Sequence, residues 1–181
     1  MALAPLDRSI RWRGLDPASF EHCHIMRNAR DTRIRGAIIG PDFGVFYRLK
    51  LDDDGHTRTI KLEHSDGRSL ELFSDGTGNW SDDRADPLPE LRGCIDIDLS
   101  TTPLTNSLPI WRTNWTDAPQ RFRMAWIDLE ALTVAPDQQI YTRIDATHFH
   151  YQAADGSFER TLEVDTDGLV IDYPGLFERA G

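Results

Sequence analysis

Apolar and polar residues alternate through most of this chain with a period of two, the spacing of strands whose two faces see different surroundings. In the first half a short strand opens at Arg11-Trp12, and segments 20–26, 33–39, 45–51, 56–63 and 68–73 continue the pattern. Asp53-Asp54-Gly55 and Ser65-Asp66-Gly67 separate them as turns, because Asp and Gly tolerate the positive φ of tight hairpins. In the second half the pattern predicts strands over 93–99, 108–116, 121–129, 138–144, 147–152, 157–164 and 169–173. Residues 117–120 read as a hairpin loop, and 174–179 as one closing helical turn. No long segment carries apolar residues at helical spacing. The expectation is an all-β chain: a strongly curved antiparallel sheet forming an open or incomplete β-barrel, with at most short helical turns.

A polar, proline-bearing stretch at 81–89 joins two β-meander halves, and we read 1–181 as a single domain. Asp54-Gly55 and Asp66-Gly67 are spaced as Asp155-Gly156 and Asp167-Gly168 are. The alternation around the two sets is out of phase by one residue, which leaves duplication and coincidence both open.

The stretch 93–112 is unlike ordinary surface. Ile95, Ile97 and Leu99 share one strand face, Asp96 and Asp98 the other. A run of hydroxyl and amide groups then follows, Ser100-Thr101-Thr102-Pro103 and Thr105-Asn106-Ser107. Such a loop either presents groups to a ligand or plugs the end of a barrel. In the expected hairpin beyond it, Trp111 faces Trp126, Thr113 faces Met124 and Trp115 faces Phe122, an aromatic side that would stabilise the sheet.

The formal net charge of −10 argues against nucleic acid and anionic membranes as partners, since both call for basic surface. Arg27, Arg30, Arg33 and Arg35 lie close in sequence, and solvated arginines around a hairpin loop are the preferred reading. No apolar run is long enough to span a bilayer, and the start lacks the basic-then-apolar pattern of a secretory signal. We expect a cytoplasmic protein. Cys23 and Cys94, the only cysteines, are then expected buried and reduced, and no cofactor is implied.

Stretch 93–112 resembles the signature of the putative glycolipid-binding protein family, a bacterial family. Gly93, Cys94, Asp96, Asp98, Leu99, Thr102, Pro103, Thr105, Asn106, Leu108, Pro109, Ile110 and Arg112 match it, while Trp111 and Thr113 depart. The likeness extends through Trp12, Gly36 and Tyr47 to Asp165, Gly168, Val170, Tyr173 and Pro174. The resemblance implies an open β-barrel like those of lipoprotein carriers, and a glycolipid as ligand.

Several groups could carry chemistry. Asp96 and Asp98 could hold a cation or act as acid and base, or could bond the loop and Arg112. His22 with His24, and His148 with His150, share strand faces as in metal-binding barrels, but no further ligand follows at the usual spacing, so surface roles are favoured. No nucleophile elbow, phosphate loop or dinucleotide fingerprint occurs. Our first expectation is a protein holding an amphiphile, a glycolipid or fatty-acid-like molecule. Asp96, Asp98, Thr102, Thr105, Asn106 and Arg112 would bond its head; Trp12, Trp80, Trp111 and Trp126 would line or flank its apolar part. A small enzyme using Asp96/Asp98 or the histidine pairs, and a ligand-free interaction scaffold, are the alternatives.

Overall fold

The structure, a computed structural model, describes residues 3–181. Fourteen strands form one sheet. They are β1 (Leu6–Leu15), β2 (Ala18–Arg27), β3 (Asp31–Ile39), β4 (Gly44–Asp52), β5 (Thr57–His64), β6 (Ser69–Ser74) and β7 (Trp80–Asp82). There follow β8 (Asp96–Leu99), β9 (Gln120–Asp128), β10 (Thr133–Arg143), β11 (His148–Ala153), β12 (Glu159–Val164), β13 (Val170–Tyr173) and β14 (Phe177–Arg179). Between β8 and β9 a 3-10 turn at Leu104–Asn106 runs into α1 (Ser107–Arg112).

Spatially the sheet is two meanders joined at the middle. The order runs from β7 back to β1, across to β14, and back to β8. The central junction is short: Trp12 pairs with Arg179, and Gly14 with Phe177. β7 and β8 are the two edges, so the ladder does not close. Other bonds bring the edges together. At one end Thr57 N–H donates to Ile95 O at 3.2 Å, and Gly93 N–H to Gly78 O at 2.8 Å. A Cβ on Gly78 would stand 2.7 Å from Gly93 Cα, so this crossing needs glycine. At the other end Arg68 donates to Glu130 O and Ala131 O, at 2.8 and 3.1 Å. The result is the open, barrel-like all-β fold expected.

One pair breaks the antiparallel rule: β8 lies parallel to β9. A parallel pair needs a long crossover, and here residues 100–119 supply it, with 101–110 buried in the barrel's interior and 111–119 returning to its surface. Here the sequence expectation fails. The predicted strand over 108–116 is α1 followed by irregular chain, so the expected hairpin at 117–120 and the Trp111–Trp126 cross-strand pair do not exist. Trp126 instead pairs with Ala135 and Asp98. Trp115 does meet Phe122, at 6.1 Å between ring centroids, but from irregular chain. Two features favour the helix. Pro109 sits in its first turn, where a missing N–H costs least. Leu104 and Leu108, one helical turn apart, are both fully buried, each contributing about 2 kcal/mol. The expected C-terminal helical turn is strand β14, held by β1 and β13.

The threading segment divides the interior. On one side lies a mostly aliphatic cluster, chiefly from β1–β8 with Ala125 and Ile127 of β9, including Ile25, Ile34, Leu49, Ile60, Leu62 and Trp12. On the other lies an aromatic cluster from β9–β14, where Phe122, Tyr141, Tyr151 and Tyr173 follow one another in edge-on contacts. Leu104 and Leu108 belong to the first and Ile110 to the second.

Candidate functional site

The hydroxyl and amide run seats in sockets on the barrel wall. Thr102 Oγ1 donates to Glu21 on β2, and Tyr47 OH donates to the other oxygen of that carboxylate. Tyr47 reaches Glu21 because its ring lies over Gly36, 2.4 Å from where a Cβ would stand. Thr105 Oγ1 donates to Asp98 Oδ1 at 2.7 Å and accepts from Leu99 N–H. Gln139 Nε2 takes the second oxygen of Asp98 at 2.7 Å, and Asn106 Nδ2 donates to Tyr141 OH at 2.8 Å. Arg112 grips Asp96 with Nε and Nη2, at 2.9 and 2.6 Å to Oδ2.

Removal from water dominates these carboxyls. Burial pushes Glu21 up to about 7 against the opposing hydroxyl donors, and Asp98 up to about 6. Asp96 is raised by burial too, with Arg112 pulling the other way.

The expected head-binding residues are thus brought together, but in pairs that bond one another or the wall. Trp12 and Trp80 are core residues whose ring N–H groups donate to Val170 O and Cys94 O, each at 2.8 Å. Trp126 is half-buried on β9. Cys23 and Cys94 are buried and unbridged. His22 and His24 lie on the face of β2 opposite Cys23, and His148 and His150 sit beside Asp145 and Glu159.

Trp111 is placed differently. It stands where the threading segment emerges at the barrel's end, beside a cleft of about 450 Å³. Its ring N–H donates to Asp167 O at 2.7 Å. Leu6, Trp115, Phe149 and Val164 give the cleft apolar walls, and Arg27 and Arg143 also line it. The Arg27 guanidinium lies 4.0 Å above the Trp111 ring. This arginine is only 7% exposed, and its Nη2 has no hydrogen-bond partner among the described residues. Burial lowers its proton affinity somewhat, against the pull of Asp167, but a guanidinium stays charged.

The expectation of solvated arginines holds for Arg30, Arg33 and Arg35 and fails for Arg27, the last inward position of β2. Its parity with Glu21, Cys23 and Ile25 was the available signal. Glu21 and Tyr47 were missed as site partners because neither is near the threading segment in sequence.

Comparison with known proteins agrees with this architecture. The sequence model described as putative glycolipid-binding matches residues 9–179. A crystal structure of a DUF1089 family protein from Pseudomonas aeruginosa is 37% identical, with a TM-score of 0.79, covering 90% of this chain and 92% of that one. A search of curated proteins finds no match. Among the described residues no helix is long and apolar enough to cross a membrane. With nearly its whole length matched, the chain belongs to the putative glycolipid-binding family.

Proposed function

We propose that this protein binds an amphiphilic small molecule, of glycolipid or fatty-acid type, at the cleft beside Trp111 rather than in the barrel's interior, and does so in the bacterial cytoplasm. The observation that carries this reading is the pairing, in one cleft, of apolar walls with a buried arginine whose Nη2 has no hydrogen-bond partner among the described residues. Ligand sites combine these features: apolar area supplies affinity and a few polar groups fix orientation. The family description supports the ligand class. Trp111 and Trp115 would pack against the hydrocarbon, with Arg27 at the polar end.

Within this reading Asp96, Asp98, Thr102, Thr105, Asn106 and Arg112 hold the threading segment in place and so shape the cleft indirectly. An enzyme working through Asp96 or Asp98 would have to break bonds these carboxylates make inside the fold.

Tryptophan fluorescence tests the site. Brominated amphiphiles should quench the emission of the protein, and Trp111→Phe with Trp115→Phe should remove most of that quenching. Native mass spectrometry of gently purified protein should show an amphiphile of defined mass. Unchanged quenching in the double variant would overturn the assignment to this cleft.

A further inference from the structure

The charges around the cleft are not balanced. Two carboxylates lie at its rim, and both are already neutralised: Asp165 bonds Arg8 at 2.8 Å and Arg179 at 2.6 Å, and Asp167 bonds Arg8 at 2.9 Å. Arg27 and Arg143 have no carboxylate within salt-bridge distance among the described residues. Arg143 spends its Nε on Asp145 O at 2.9 Å, and Arg27 its Nε on Thr32 Oγ1 at 3.3 Å. Two cations without a salt-bridge partner among the described residues, Arg27 buried and Arg143 exposed, therefore line one largely apolar cleft on a chain whose net charge is −10, and Asp167 acts on Arg27 only from beyond bonding distance.

A buried charge without a partner is costly, and the aromatic face beneath Arg27 offsets only part of that cost. A neutral sugar hydroxyl could accept one hydrogen bond from the guanidinium but would bring no charge to pair with it. An oxyanion would do both, since the guanidinium fork matches carboxylate and phosphate oxygens. We infer that the ligand of this cleft carries a single anionic head group, a carboxylate or phosphate, held by Arg27 and Arg143, with its hydrocarbon against Trp111, Trp115 and Phe149. This rests on the amphiphile reading above and narrows it from a glycolipid or fatty-acid type to a lipid with an acidic head.

Titration calorimetry with three dodecyl probes, each below its micelle-forming concentration, tests the inference: laurate, dodecyl phosphate and dodecyl maltoside. Laurate, dodecyl phosphate or both should bind at least about tenfold more tightly than the maltoside; which of the two leads distinguishes a fatty acid from a phosphorylated lipid. Arg27→Met should lose about tenfold for the anions and leave the maltoside within about twofold. Raising salt from about 50 to about 500 mM should weaken the anions alone in the unmodified protein, a readout independent of whether the variant folds. Maltoside binding as tightly as the anions would overturn the anionic head while leaving the amphiphile reading intact. Failure of all three probes to bind would overturn both.

Discussion

Residues 102–106 and 110–115 belong to one threading segment, yet they end in opposite conditions. In the inner stretch the side chains of Thr102, Thr105 and Asn106 each close on a group of the protein. At the outer end Trp111 lies against a buried guanidinium whose Nη2 is unpartnered among the described residues. The inner stretch is mostly polar and the outer one half aromatic or aliphatic, yet both look like binding motifs as text. What separates a group that holds the fold from one able to hold a ligand is whether its hydrogen-bonding capacity is already spent.

The sharpest way to break the comparison is to unpair the inner network. Arg112→Ala leaves Asp96 buried and alone, which should cost about 3–5 kcal/mol and lower the melting temperature by about 10 °C in a thermal scan. An unchanged melting point would mean that the pair is solvated after all.

Glu21 adds a dependence on pH. Its carboxyl is raised in the folded state from the ordinary 4.5 to about 7, so the native protein binds more protons than the unfolded chain between these values. Stability therefore falls as pH rises through that window, by up to about 3 kcal/mol. Urea unfolding at pH 5 and pH 8 should show the loss, and Glu21→Gln should remove the larger part of it, leaving the part that Asp98 contributes below about pH 6. A midpoint that rises towards pH 8 in the unmodified protein would contradict the buried socket.

Thr105→Val, which strands one oxygen of Asp98, should cost about 1–3 kcal/mol by the same assay. Its affinity for an amphiphile should be unchanged; lost affinity with intact stability would move the site inward. At the outer end the effects should reverse in kind. Trp111→Ala should weaken amphiphile binding about tenfold, or about 1.4 kcal/mol, in a fluorescence titration. The smallest effect should come from Trp126→Ala, whose affinity should stay within about a factor of two.

Much of the wall was readable before the fold was known. Alternation placed Asp96 and Asp98 on one face, and the same parity carries Arg27 inward with Glu21, Cys23 and Ile25. The threading segment was not readable as a helix because Trp111, Thr113 and Trp115 alternate as a strand would. That alternation decides structure on a sheet, where one face is wet. Inside a barrel the surroundings differ on every side, and wall hydroxyls and carboxylates favour the turn of helix. The partners of Asp98 show the same limit. Thr105 lies near it in sequence, but Gln139 is 41 positions away and becomes a neighbour only once β8 lies beside β9.

The short β1–β14 junction also bears on how the chain is made. Arg13 and Glu178, paired across it, are 165 positions apart. Contacts so distant in sequence form slowly, and the last partner leaves the ribosome long after the first. Until β14 exists, β1 offers an uncovered strand edge on which nascent chains can pair with one another. Weakening β14 should therefore lower the yield of folded protein during synthesis more than it lowers the melting temperature of molecules already folded.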